Sequence, residues 1–462
     1  MLIGIYTAEI NPLKVMPKER SYCLAAEAKM QGCEVIFFEK EGVNYTNRII
    51  TGIIREDGEW VEKKFSLPDV LIDEHLTLIK DLKLDKNIPE VEFLKNEVPL
   101  LRFGLHNKAK MYDKLNKSEK FAKYIPPYDI IEEPAKVKKY VEKYGCIVLK
   151  PIDGAQGKGI GFLEDKGDWI LVKQHTKINE FKKEEFSRFA EMMADGTYLI
   201  QPYLECRTKL GYPFDFRVHV QRDGKGEWGI TKIYPRIGTQ KSILSNVSRG
   251  GMISNIDYFL VTEYAEKAEI IKDILSQLAL ELTDHVDGFY NYSLDELGID
   301  LAIDKNENIW LYEVNAGPQT KHHEWERARN TIAYARYIAK KQEVRKLLEK
   351  LWKMSNKIKK GLKFLLQDSK ENNAFDDNLL SKINQGFNSI KTQLEPRYIY
   401  FEDSKLEELT SVLDNQLFAL QKEVNQNFEN ISDVFKNYND WQQKFKENLF
   451  QLKQEAVNED KD

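Results

Sequence analysis

The chain has 462 residues, 42% of them hydrophobic and 31% charged, with a formal net charge of −5. That length exceeds one ordinary core and implies two or three domains, while the near-balanced charge gives no electrostatic footprint for nucleic acid, so no nucleic-acid partner is expected. No run of about 18 apolar residues occurs, which argues against a membrane span, and Cys23, Cys33, Cys146 and Cys206 form no pattern that suggests zinc or a disulfide framework.

Residues 1–100 alternate strand-like and helical runs: Leu2–Tyr6, a helix around Lys18–Gln31, then Glu34–Phe38, with further buried strands at Pro68–Ile72 and Leu100–Phe103. This is α/β grammar. The start reads as a buried strand rather than a signal peptide, because it lacks a basic start, a long apolar run and a small-residue cleavage site; a cytoplasmic location is the expectation. Residues 101–340 are richer in Gly, Pro and aromatics and hold the candidate chemistry.

The run Cys146–Leu149 ends in Lys150 and enters a loop carrying Gly154, Gly157, Gly159 and Gly161, with Lys158 inside it. Glycines let backbone N–H groups approach an anion, and a lysine ending an apolar strand is badly placed unless it meets a phosphate. The spacing is not that of a Walker loop; alone, such a loop is equally a mobile hairpin. Next, Tyr198–Gln201 is an apolar strand running through Pro202 into Tyr203, Leu204 and Glu205. Backbone amides at such an exit suit an adenine edge, although a plain strand end fits as well.

In Asp215–Val220, alternation puts Asp215, Arg217 and His219 on one face and Phe216, Val218 and Val220 on the other. Arg236 and Arg249 follow, the latter in Ser245-Asn-Val-Ser-Arg249-Gly-Gly. Guanidinium forks suit phosphate and carboxylate, so Arg217, Arg236 and Arg249 are candidate catalytic anion holders; any one of them alone is more readily a surface ion pair. The strongest local pattern is Gly298–Pro318, two apolar-alternating runs around a polar Lys305–Asn308 turn. If Asp304 faces Ile309, Asp300 falls opposite Glu313, and Asn315 shares the face of Glu313. Opposed carboxylates destabilise a sheet unless a hard cation sits between them, and magnesium prefers such oxygen ligands. Asp300, Glu313 and Asn315 are therefore the candidate metal set, with an exposed hairpin of solvated acids as the alternative. His322-His323 is not read as a metal site, because adjacent histidines on a helix diverge.

Beyond 341 the chain is helical and rich in Lys, Glu, Gln and Asn, broken by Pro396. Leu406, Leu409, Leu413, Leu417, Leu420, Val424, Phe428, Ile431 and Phe435 follow an 11-residue repeat, continued loosely to Leu452; Val344–Leu365 carries an earlier stripe. Such stripes must be buried, either in a bundle packing on itself or in an arm that binds a partner protein or a second copy.

Taken in order, the Lys150 strand and Gly loop, the Gln201–Glu205 linker, the Asp215–Arg217 strand and the Asp300…Glu313-Val-Asn315 hairpin resemble the ATP-grasp superfamily. The Glu-x-Asn pair is similar to that of D-alanine–D-alanine ligases and ribosomal-protein glutamate ligases. Phe103–Leu115, with the whole of 101–325, resembles the YheC/YheD branch, described as endospore-coat-associated. The resemblance implies an α+β ATP-grasp domain at 101–340 (lid about 121–204, C-terminal subdomain about 205–325), an α/β pre-ATP-grasp domain at 1–100 and an all-helical, coiled-coil-like extension at 341–462. It further implies ATP and Mg2+ as cofactors. Lys108 and Lys150 would contact phosphates, and the loop of Gly154, Gly157, Lys158 and Gly159 would close over them. Gln201, Tyr203, Leu204 and Glu205 would hold the nucleoside, Arg217 and Arg236 the transferred phosphoryl or acyl group, and Asp300, Glu313 and Asn315 the magnesium. The implied activity is carboxylate–amine ligation through an acyl phosphate, joining a carboxylate substrate to an amine acceptor such as an amino acid or peptide. An ATP-grasp kinase and a non-catalytic coat or scaffold protein assembling through its helical tail are the alternatives.

Overall fold

Leu2–Tyr6 (β1) is apolar at every position but Gly4, the composition of a strand covered on both faces. It lies between two parallel neighbours, Glu34–Phe38 (β2) and Val70–Asp73 (β6), with the helix Lys18–Met30 connecting it to β2. Gly4 is required by close approach, since a Cβ there would stand 2.9 Å from Pro68 and 3.0 Å from Leu71. The computed structural model describes residues 1–7, 10–74, 89–102, 104–154, 158–174, 177–239, 245, 251–371, 377–394, 418, 422 and 431–457. It divides into two compact units, Met1–Tyr337 and Ile338–Asp462.

Three sheets build the first unit among the described residues. The first has the order β3-β4-β2-β1-β6-β7, with Val43–Asn44 (β3), Ile49–Glu56 (β4) and Leu100–Leu101 (β7); Glu59–Ser66 (β5) pairs β4 through a turn whose Asp57 and Gly58 both have positive φ. The second has the order β12-β11-β10-β9-β13-β8 and comprises Asp129–Ile130 (β8), Cys146–Pro151 (β9), Gly161–Asp165 (β10), Trp169–Gln174 (β11), Lys177–Lys182 (β12) and Tyr198–Pro202 (β13). Its core joins Ile147, Leu149, Leu163 and Ile200 to Val137, Val141 and Phe186 of the covering helices.

The third sheet runs β16-β15-β14-β17-β18: Phe214–Arg222 (β14), Trp228–Ile237 (β15), Met252–Ile253 (β16), Glu296–Ile303 (β17) and Ile309–Ala316 (β18). Its apolar face carries Phe216, Val218, Val220, Leu297, Ile299 and Leu301, packed with Leu275, Leu278, Leu282 and Val286 of the helix Ala268–Asp287. Each such side chain stabilises the unit by about 1.5–3 kcal/mol relative to exposure. The opposite face carries Asp215, Arg217, His219, Gln221, Glu296 and Asp300, all buried.

Several expectations shift in detail. The strand expected over Leu100–Phe103 is Leu100–Leu101, with Phe103 outside the described residues. The turn of the last hairpin pairs Ile303 with Ile309, so Asp304 does not face Ile309. A bulge at Tyr312 then moves the register by one, and Asp300 pairs Glu313 after all. His322 and His323 precede a helix rather than lie on one; that helix, Glu324–Glu371, runs unbroken through residue 340.

The second unit continues that helix with Asp377–Leu394 and Ile431–Val457. Ile358, Leu362, Ile383, Phe387, Val434, Tyr438, Trp441 and Phe445 form its buried interior. Gly386 lets its helix approach Ile358, from which an added Cβ would stand 2.9 Å. The Tyr438 hydroxyl donates to the Ser355 carbonyl at 2.8 Å. Of the stripe residues whose side chains are described, Leu347, Ile358, Leu362, Tyr438, Trp441 and Phe445 are buried and Phe435 is half-buried. Leu406 to Leu417, Leu420, Val424, Phe428 and Pro396 lie outside the described residues.

Candidate nucleotide and metal site

One cleft is lined by Lys108, Lys150, Gly154, Lys158, Gln201, Tyr203, Leu204, Arg236, Asp300 and Glu313, together with Asp215, Ser245, Cys206 and Tyr312. Its wall comes from β9 and β13 and its floor from the polar face of the β14-β17-β18 sheet.

The floor is a lateral row of charge. Tyr234, Arg217, Asp300 and Glu313 are successive cross-strand partners on β15, β14, β17 and β18. Arg217 Nη2 donates to Asp300 Oδ2 at 3.1 Å and Arg236 Nη2 lies 3.0 Å from the same oxygen. Arg236 also grips Asp215, its own register partner, with Nε at 2.7 Å from Oδ1. Burial raises the Asp300 carboxyl, but Arg217 and Arg236 outweigh it and hold the group below its ordinary value. At the row's end, Lys108 Nζ stands 2.8 Å from Glu313 Oε1 and also donates to the Gly154 carbonyl. Lys108 is placed there as the first residue of the helix Lys108–Asn116, whose N-cap is the Asn107 side chain. The opposition of Asp300 and Glu313 is thus balanced by three cations, and Asn315 Nδ2 lies 3.5 Å from Asp300 Oδ2.

Above the floor, the Lys150 ammonium sits 5.1 Å from the centre of the Tyr312 ring. Burial lowers its pKa to about 8, with Glu313 opposing and Lys108 reinforcing the shift. Gly154 touches Pro151, where a Cβ would stand at 2.9 Å, and Gly159 has φ +74, a conformation that favours glycine. At the far end, Tyr203 N–H donates to the Cys146 carbonyl at 2.9 Å and its ring meets Phe162 edge-on at 5.0 Å. This leaves a slot with apolar walls from Val148, Ile160 and Leu204.

Other expected residues stand differently. Arg217 and Asn315 reach the cleft through Asp300 rather than lining it. Glu205 lies outside the lining and pairs with Lys305 at 2.9 Å on the exposed surface. Gly159 is set back from the lining. Gly157 and Arg249 lie outside the described residues.

Sequence reasoning missed a second polar assembly beside the cleft. Glu296 is bound by Arg327 (Nη2 to Oε2, 2.8 Å), Arg102 (Nη1 to Oε2, 2.6 Å) and His219 (Nε2 to Oε1, 2.9 Å). Arg102 also meets Asp295 at 3.1 Å and Glu74 at 3.4 Å, and Arg20 meets Glu324 at 3.1 Å. Burial raises the carboxyls of Glu296 and Glu74, yet Arg102 and Arg327 hold both below their ordinary values. Arg102 adopts φ +73, a costly backbone for a non-glycine residue, held by these contacts. The partners come from distant parts of the chain, and no short-range pattern announces them.

A family model described as YheC/D like ATP-grasp matches residues 97–338, just over half the chain. The chain belongs to that family. Its fold is accordingly ATP-grasp, preceded by the first sheet and followed by the helical unit. It is 27% identical over 364 residues to the endospore coat-associated protein YheD of Bacillus subtilis (strain 168), covering 74% of this chain and 79% of that protein. To YheC of the same organism it is 26% identical over 270 residues, covering 57% and 74%. Among solved structures, a Chryseobacterium gregarium RiPP-associated ATP-grasp ligase in complex with ADP and a leader and core peptide matches with 16% identity. It covers 73% of this chain and 95% of that one at a TM-score of 0.38. D-alanyl-alanine synthetase A from Vibrio cholerae matches with 14% identity over 73% and 96% at 0.42. For this YheC/D-like ATP-grasp chain, the family match spans every element that builds the cleft, from Lys108 to Asn315. No described helix is long and apolar enough to cross a membrane.

Proposed function

We propose that this protein is an ATP- and Mg2+-dependent ligase that joins a carboxylate to an amine, an amino acid or peptide being the acceptor class. The observation that carries the reading is the juxtaposition of Lys108, Lys150 and Arg236 with Asp300 and Glu313 in one cleft with an apolar end.

Lys108 and Lys150 would hold ATP phosphates, with the Gly154–Gly161 loop, including Gly157, Lys158 and Gly159, closing over them. Tyr203 and Leu204 would present backbone to the adenine, with Gln201 beside them and Glu205 turning from Lys305 to the ribose. Asp300, Glu313 and Asn315 suit magnesium: all three offer oxygen, Asp300 is held ionised, and the bond that Asn315 makes to Asp300 uses its amide nitrogen, not its oxygen. Magnesium bound there would neutralise phosphate charge and polarise the transferred group.

The chemistry balances as two displacements. A substrate carboxylate oxygen attacks the γ-phosphorus and ADP leaves, giving an acyl phosphate. The amine nitrogen then attacks the acyl carbon, phosphate leaves and the nitrogen sheds a proton to solvent. Anions must meet in the first step, so Arg217, Arg236 and, in the same role, Arg249 supply the compensating charge. No general base is evident among these residues, which suits an amine that is positioned rather than activated. Retention of this full charged set supports an enzyme over a scaffold.

Phosphate release from ATP with candidate carboxylates, with and without candidate amines, tests the reading. Release stoichiometric with amide product and dependent on the amine is expected. Amine-independent formation of a stable phosphorylated product would make the protein a kinase instead. A wild-type chain that binds no Mg-ATP would remove the nucleotide site altogether.

A further inference from the structure

Residues 316–323 follow Asn315 and turn back across the polar face of the third sheet. Pro318 lies on Gly298, where an added Cβ would stand 2.7 Å from Pro318 and 3.2 Å from Arg217 Nη1. The loop therefore rests beside the guanidinium that grips Asp300. Arg20, from the helix Lys18–Met30, anchors its middle: Nη2 donates to Thr320 Oγ1 at 3.1 Å and to the Pro318 carbonyl at 3.4 Å. Its far end is fastened by His323, 3% exposed, whose Nε2 lies 2.9 Å from His219 Nδ1.

The other His219 nitrogen, Nε2, lies 2.9 Å from the Glu296 carboxylate. A carboxylate there fixes a proton on that nitrogen, so His219 Nδ1 accepts and His323 Nε2 donates. The bond pattern thus sets both rings as neutral Nε2–H tautomers. Neither ring lines the cleft, so neither touches a ligand there.

We infer that the His219–His323 pair is a positioning device for the metal side of the site. By pinning the loop after Asn315, it keeps Arg217 on Asp300 and the Glu313 and Asn315 side chains turned to one cation. This rests on the Mg-ATP reading above. The pair acts on the ligand residues through the loop and not by a bond to any of them; a group that holds a ligand directly is worth about 10–100-fold in metal affinity, and the lower end of that range is expected here.

The test is calorimetric titration of the full chain with ATP, with and without Mg2+, in the wild type, His323→Leu and His323→Gln. Glutamine keeps a donor nitrogen near the position of Nε2. The expected result is unchanged metal-free ATP affinity in all three, about tenfold or more loss of the magnesium enhancement in His323→Leu, and its recovery in His323→Gln. A lowered Tm in His323→Leu with the enhancement intact would reduce the pair to scaffolding and overturn the inference. Should His323→Leu not fold, His323→Asn, whose shorter amide cannot reach the place of Nε2 beside His219 Nδ1, carries the same two outcomes. A wild type with no magnesium enhancement sinks the metal reading first, and this inference with it.

Discussion

The cleft and the buried ionic hub beside it meet the polar face of one sheet through Asp300 and Glu296 of the same strand, yet they differ in how charge is closed. In the hub, Arg20, Arg102 and Arg327 meet Glu74, Asp295, Glu296 and Glu324 in fork-to-carboxylate pairs, with side-chain exposures of 9% or less. In the cleft, three of the cations are lysines, Lys158 among them: Lys150 rests on an aromatic ring, and Lys108 divides its ammonium between Glu313 and a loop carbonyl. Rigid forks matched to carboxylates suit permanent burial, whereas a lysine point charge is readily handed to an incoming phosphate. Density of charge does not mark the site; openness and loosely committed cations do.

The largest effect should come from breaking the hub. Arg327→Met leaves Glu296 and Glu74 underneutralised in a dry interior, at a cost of about 3–5 kcal/mol by denaturant titration. A loss below about 1 kcal/mol would mean that water or a rearranged Arg102 replaces it, and the contrast with the cleft would weaken.

Glu313→Gln makes the opposite demand. Its pair with Lys108 is partly exposed, so stability should change by less than about 1 kcal/mol. Mg-dependent turnover should nevertheless fall by about 10²–10³-fold. Wild-type turnover in this variant would remove Glu313 from the metal set.

What could be read from the sequence follows the same division. The cleft's pieces are local: a strand ending in Lys150 and four glycines, alternation through Asp215–Val220, and a hairpin whose carboxylates are 13 residues apart. The Asp300–Glu313 pairing was reached through a turn register that is off by one; the bulge at Tyr312 restores it, and no local pattern foretells a bulge there. The hub was illegible because its partners are remote, Arg20 and Glu324 being 304 residues apart. The expectation of two diverging histidines missed that His323 turns inward before the helix begins and meets His219 across 104 residues.

That histidine pair predicts an acid-sensitive stability. Burial, reinforced by His219, lowers the His323 pKa to about 3 from 6.5, and burial lowers that of His219 despite Glu296. Arg217 and Arg327 oppose protonation of His219, while Glu324 and Glu326 favour that of His323. A depressed histidine costs nothing above its unfolded value and destabilises as pH falls through the window from 6.5 to about 3, because only the unfolded chain takes up the proton. At pH 5 His323 should cost about 2 kcal/mol. Of the hub carboxylates, Glu74, Glu296 and Glu324 are held low and begin to act only below their unfolded values near 4.5, while burial raises Asp295, which therefore favours the folded chain as it takes up its proton. Urea titrations at pH 7 and pH 5 should therefore show a loss that His323→Gln reduces by about that amount; an equal loss in both proteins would assign the slope to other groups.

The smallest effect tests the cleft from the side of folding. Burial holds the Lys150 ammonium at about 8 instead of 10.5, so the resting protein carries a charge that its surroundings disfavour. Methionine of similar length keeps the stem and removes the charge. Lys150→Met should leave stability unchanged or raise it by about 1 kcal/mol, the side chain being only partly buried, while ATP no longer raises the Tm. The sign can be checked a second way. As pH rises from about 8 to 10.5, the folded chain sheds the Lys150 proton before the unfolded chain does, so this group adds stability across that window. Subtracting the profile of the methionine variant, in which the tyrosines titrate alike, isolates that rise. A less stable Lys150→Met that still binds ATP would show that the lysine serves packing, and the distinction between a paired hub and an uncommitted cleft would fail at the residue on which it leans most.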